Sequence, residues 1–180
     1  MQYWTELYKE IAEKITGKMP EVVWVDLWHD QVSYLTEELP FDTPAVFIGF
    51  STVAIDDRGV LVQDCDTQID LYLFFETFSD TYMTSYNQDR ALDFLKTLTR
   101  LHALFHGKSG DNYSAMRRVD MRREESGGAG NLYRISFQCL VTDYSAQDIF
   151  IETEDPNREL DIEKNGIPER PETPPLYDTK

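Results

Sequence analysis

The chain has 180 residues, carries 17 Lys and Arg against 33 Asp and Glu for a net charge of −16, and is 41% hydrophobic and 13% aromatic. That length and apolar content fit one globular domain with a buried core, no run reaches the roughly 18 apolar residues of a membrane-spanning helix, and the acidic excess opposes any contact made by neutralising phosphates, which argues against a specific nucleic-acid reader. The opening residues, Met1-Gln2-Tyr3-Trp4-Thr5-Glu6, have neither a basic start nor an apolar h-region and so point to the cytoplasm rather than to export, while Cys65 and Cys139, both inside strand-like runs, read as reduced core residues.

The first element is an amphipathic helix: Trp4, Leu7, Tyr8, Ile11 and Ile15 recur at helical spacing, charged residues fill the other face, and Gly17 is placed to end it in a left-handed conformation. After Pro20, Val22 to Trp28 is rich in β-branched and aromatic residues and reads as a strand. His29 to Thr43 follows as a polar connection. Pro44 leads into Ala45-Val46-Phe47-Ile48-Gly49-Phe50, a continuous apolar run suited to a strand covered on both faces, and Asp56-Asp57-Arg58-Gly59 is expected to turn the chain.

In the next strand Cys65, Ile69, Leu71, Leu73 and Phe75 fall on one side and Asp64, Asp66, Gln68 and Asp70 on the other, a clear period of two. Tyr72, Phe74 and Glu76 make the second face partly apolar near its end, where a neighbouring element or subunit is expected to pack. Ser85-Tyr86-Asn87-Gln88 matches a capping box, and Ala91, Phe94, Leu95, Leu98, Leu101, His102 and Phe105 trace the stripe of the main core helix. Two strands, Met116–Glu125 and Leu132–Asp143, joined by a loop with three glycines, close the domain. The expected fold is α+β, a mainly antiparallel sheet packed against two helices in the order α-β-β-β-α-β-β, over residues 1–145. Residues 146–180, with ten acidic and four basic side chains and five of the eight prolines, read as an extended or disordered C-terminal arm.

No residue pattern carries a catalytic signature. His102 and His106 stand four apart on a helix, but the zincin pattern needs Glu where Ala103 stands, and no third ligand is evident. Gly107-Lys108-Ser109 lacks the leading glycine of a phosphate-binding loop, since position 102 is His. Asp64-Cys65-Asp66-Thr67 resembles the paired aspartates of haloacid-dehalogenase-like phosphatases, yet here the strand runs on through them to Phe75. No catalytic residue, metal site or cofactor is therefore assigned; the nearest polar pool, Asp64, Asp66, Asp70 and His102, is the place an enzyme reading would start.

Arg117, Arg118, Arg122 and Arg123 crowd four cations into one strand; strict alternation puts Arg117, Val119, Met121 and Arg123 on one face and Arg118, Asp120 and Arg122 on the other. A nucleic-acid patch is one reading of this cluster; the favoured one is an edge strand blunted by charge, or arginines that meet carboxylates of this acidic protein, preferably between subunits, because the planar guanidinium holds a carboxylate through two hydrogen bonds.

In element order the chain resembles the tail terminator, or tail completion, proteins of long-tailed bacteriophages and prophages. The resemblance lies in the short first helix, Trp24-Val25-Asp26-Leu27-Trp28, the proline-led Pro44-Ala45-Val46-Phe47-Ile48, the strand ending Ile69-Asp70-Leu71-Tyr72-Leu73-Phe74, the helix from Arg90-Ala91-Leu92-Asp93-Phe94-Leu95, and Tyr133-Arg134-Ile135-Ser136-Phe137. It covers residues 3–145. The resemblance implies a structural protein without an active site, a homo-oligomeric ring, commonly a hexamer, that caps the tail tube protein and presents a surface to the head completion protein, made in the bacterial cytoplasm and carried into the virion tail. For such a ring the candidate contact surfaces in this sequence are the strand with Arg117, Arg118, Arg122 and Arg123, the partly apolar face at Tyr72 and Phe74, and the loop Thr52–Gly59 with Asp56, Asp57 and Arg58, and a net negative ring is expected to let DNA pass without holding it. The acidic stretch from Ala146 to Lys180 goes beyond the family domain and is a candidate strap through Ile149, Phe150 and Ile151. A head–tail connector or other minor tail component, a monomeric binding or regulatory domain, and an enzyme are the alternatives.

Overall fold

A computed structural model describes residues 3–32, 41–76, 80–126 and 130–153. Its elements are α1 (Tyr3–Lys18), β1 (Trp24–Leu27), β2 (Ala45–Gly59), β3 (Val62–Phe75), α2 (Gln88–Ala91), α3 (Asp93–Phe105), β4 (Arg117–Glu124), β5 (Asn131–Asp143) and α4 (Ser145–Thr153). The strands form one sheet in the order β1-β2-β3-β5-β4. Only β1 and β2 run parallel; every other neighbouring pair is antiparallel. The α+β class and the order of strands and main helices are those the sequence implies. No helix among the described residues is long and apolar enough to cross a membrane.

One face of the sheet is covered by α1 and α3. The α1 stripe Leu7, Ile11 and Ile15 and the α3 stripe Phe94, Leu98, Leu101 and Phe105 meet Val46 and Ile48 of β2, Ile69, Leu71 and Leu73 of β3, and Ile135, Phe137, Cys139 and Val141 of β5. Strand alternation and helical spacing thus present matching apolar surfaces, whose removal from water drives their packing. At the rim Lys14 lies with Nζ 5.1 Å from the centre of the Phe105 ring and donates a hydrogen bond to the Tyr113 hydroxyl at 2.9 Å, so its stem covers core while its charge stays partnered.

Among the described residues, the opposite face is covered at one end. There Val32, Phe41, Ala45, Phe47, Phe74 and Leu132 form a second small core, with Trp28 and Tyr72 packed against it. The connection from β1 to β2 is therefore more than polar linkage: its Val32 and Phe41 are buried. Residues 33–40 of that expected connection lie outside the described residues.

Several local expectations are corrected. Gly17 sits inside α1, which continues to Lys18, rather than ending it. Asp56-Asp57-Arg58-Gly59 belongs to β2, and the chain reverses at Val60-Leu61 instead, with Leu61 at φ 66. Ser85 does not cap the second helix; its hydroxyl is buried without a hydrogen-bond partner, and the helical stretch is broken at Leu92 into α2 and α3. The acidic segment begins as the helix α4 rather than as extended chain, while residues 154–180 lie outside the described residues.

Candidate functional site: two sheet edges and a projecting hairpin

The arginine strand β4 forms one edge of the sheet. A bulge between Arg118 and Asp120 breaks its alternation, so the expected face assignment does not hold. Arg118, Met121 and Arg123 pair opposite Phe137, Ile135 and Tyr133 and share the helix side; Arg117, Asp120, Arg122 and Glu124 share the open side with Gln138, Ser136, Arg134 and Leu132. On the open side Arg122 meets Glu124 at 2.9 Å and Asp120 at 3.7 Å, and Arg134 reaches the same two carboxylates at 3.0 and 3.5 Å. Arg117, Arg118 and Arg123 are exposed and have no acidic partner among the described residues.

The other edge is shared by β1 and β2. β1 pairs only with Ala45–Ile48, and the last backbone contact on that side is the Trp28 N–H donating to the Ile48 carbonyl at 2.9 Å. From Gly49 to Gly59, β3 is the only strand paired with β2 among the described residues. All of Ser51–Leu61 is exposed, including Val53, Ile55 and Val60, the last at 90% of its surface. Asp56, Asp57 and Arg58 lie on this hairpin. Asp57 accepts a hydrogen bond from Gln63 at 3.0 Å, and Arg58 approaches Asp64 at 3.7 Å. Beside the β2 edge, where β1 stops, Trp4, Thr5 and Tyr8 of α1 and Leu27, Phe50, Ser51 and Thr52 line a mostly apolar groove of about 490 Å³.

The remaining two expected contact residues sit elsewhere. Phe74 is fully buried under Phe41 of its own chain, with ring centres 5.7 Å apart, and Tyr72 is stacked on Trp28. The partly apolar end of β3 thus packs against an element of the same protomer, and Phe74 offers no surface to a second one. Burial pushes the Tyr72 hydroxyl up to about 12.

The polar pool from which an enzyme would be built is split by the sheet. Asp64, Asp66 and Asp70 project from β3 on the open face, where each accepts a hydrogen bond from β5: Thr142 to Asp64 at 2.8 Å, Gln138 to Asp66 at 2.7 Å, and Ser136 to Asp70 at 2.5 Å. Cross-strand donors satisfy carboxylates that would otherwise repel one another along the strand. His102 is on α3 on the opposite side, stacked on Phe137 and 4.8 Å from the His106 ring. Burial first, then Arg118 and His106, holds the His102 imidazole below its ordinary value. The Nδ1 of His106 accepts the Arg118 N–H at 3.1 Å. No group of three His, Cys, Asp or Glu side chains among the described residues is arranged to hold a metal ion.

The sequence pointed to the arginines and to Thr52–Gly59, a stretch that holds Val53, Ile55 and Asp56–Arg58, but missed the groove at Trp4, Tyr8 and Phe50. No pattern in the sequence marks that groove, because it forms where β1 stops beside α1 and β2. Compared with known proteins, the chain matches no family model and no curated sequence.

Proposed function

We propose that this protein is a structural subunit that assembles head-to-tail into a closed ring, and that the ring caps a phage or prophage tail tube and joins it to the head completion protein, as the resemblance in element order implies. The observation that carries the reading is the hairpin arm from Ser51 to Leu61. It exposes Val53, Ile55 and Val60 and, among the described residues, contributes to neither core of its own protomer. An apolar projection of this kind is the mark of a surface completed by assembly. The two sheet edges are unlike each other, as a heterologous head-to-tail interface requires, and such an interface closes into a ring when the rotation per subunit fits. In this reading the protein is made in the bacterial cytoplasm and ends in the virion tail, and its work is geometric rather than catalytic.

The test is to add the protein to a polymerising candidate tail tube protein. Tubes that stop growing, with this protein at their ends only, support the reading. Tubes that grow unchanged and never retain it overturn the capping role.

A further inference from the structure

We infer that the β4 edge of one copy docks on the unpaired β2 edge of the next, in line with β1 and beyond its end, so that each sheet continues into its neighbour around the ring. This inference rests on the ring reading above and specifies its interface. Three observations converge on it.

The first is backbone chemistry. β2 has no strand on its outer side from Gly49 to Gly59 among the described residues, and a row of backbone donors and acceptors left open in this way is a template for a further strand. The outer edge of β4 is covered at its start, where the Arg118 N–H donates to His106 Nδ1 at 3.1 Å and Met116 pairs with Gly107 and Lys108; the residues past the bulge, Asp120 to Glu124, need about 16 Å, and the eleven free residues of β2 span about 36 Å.

The second is charge. β4 carries Arg123 on the helix side, without an acidic partner among the described residues. The β2 arm carries Asp57 on the same side, at the position opposite Gln63 of β3. Opposite charges on the two edges favour β4 against β2 and disfavour β4 against β4 or β2 against β2, which makes the contact directional.

The third is shape. With sheet faces continuous, the exposed Met121 of the incoming strand falls on the α1 side, where the groove between Trp4, Tyr8 and Phe50 opens. Methionine is flexible enough to fill such a groove and makes favourable contacts with aromatic edges.

The experiment is charge-swap complementation read by sedimentation across a concentration series. One variant carries Asp57→Arg, the other Arg123→Asp. Both positions are exposed, and unchanged circular dichroism and thermal midpoints check that both variants fold. Each variant alone is expected to need at least about tenfold more protein to assemble, because like charges then face each other across the edge. An equimolar mixture is expected to regain the assembly of the unaltered chain, since every junction then pairs opposite charges. Met121→Glu is expected to weaken assembly, and Met121→Leu to preserve it. If the unaltered chain assembles and both swapped variants assemble equally well, or if mixing restores nothing, the edge contact is wrong while the ring reading stands. If the unaltered chain stays monomeric at every concentration, the ring reading itself falls.

Discussion

The indole of Trp28 lies flat on the ring of Tyr72, with ring centres 4.0 Å apart and planes 8° from parallel. The pair ties the start of the β1 to β2 connection onto the open face, beside Phe47 and Phe74. Replacing Trp28 with Ala removes this stack and uncovers the small second core, at an expected cost of about 2–3 kcal/mol, since the ring is partly rather than fully buried. Urea unfolding checks it: the midpoint should fall while assembly of the remaining folded protein is unaffected.

Glu10 fastens α1 to the loop before β4. Its carboxylate accepts the backbone N–H groups of Asp111 at 2.8 Å and Asn112 at 3.0 Å, and the Asn112 side-chain amide at 2.8 Å. Glu10→Ala strands these donors and is expected to cost about 1–3 kcal/mol. Gly110→Ala should also destabilise, because a methyl there meets the Glu10 carboxylate and the Tyr113 ring. Thermal midpoints of the two variants and the double variant measure both effects, and coupling between them is expected because they share one contact.

Leu61 adopts φ 66 at the tip of the hairpin arm, a conformation that costs a branched residue about 1–2 kcal/mol and glycine almost nothing. Leu61→Gly is therefore expected to leave the isolated protomer equally or more stable while weakening assembly, because it deletes an apolar side chain from the arm. Paired measurements of melting and sedimentation separate the two. A variant that loses stability and keeps its assembly would argue that the tip serves folding rather than contact.

Burial pushes the Cys139 thiol up to about 12, and the Cys65 thiol is raised for the same first reason. Neither should be alkylated at pH 8 in the folded protein, and both should react in denaturant. Burial also raises the Tyr3 and Tyr113 hydroxyls to about 12. A raised native value means that the unfolded chain loses its protons first as the pH climbs. Stability from these groups is thus complete below the thiol's ordinary range near 9, and declines from there toward pH 12. Urea midpoints measured from pH 8 upward should fall steadily.

His102 has the opposite sense. Its lowered native value favours the neutral ring in the fold, so the unfolded chain takes up the proton first as pH drops through about 6.5, and stability falls from there until the native ring also protonates. His102→Gln should flatten this part of the stability profile, which urea midpoints between neutral and mildly acidic pH would reveal.

The parts of the fold that were legible from sequence are those whose pattern one core imposes. The alternation from Cys65 to Phe75 and the stripe from Phe94 to Phe105 both face the same apolar layer, and both elements form where their periods place them. The β2 arm faces no core, so nothing in its pattern reports its length. Asp56-Asp57-Arg58-Gly59 has the composition of a turn but is held as strand by pairing with Val62–Asp64, and the reversal falls on the apolar Val60-Leu61. Val32 and Phe41 are single apolar residues in a polar stretch, and only tertiary packing against Phe47 and Phe74 gives them a role. The arginine cluster could be read as a candidate contact, but the bulge beside Val119 that redistributes it between the two faces leaves no mark in composition.

The central claim is a closed assembly of identical subunits. Native mass measured from micromolar to millimolar protein tests it most directly. The account expects one oligomer of fixed copy number, appearing as concentration rises and not growing further. A monomer throughout, or a series of ever larger species without a preferred size, would contradict it.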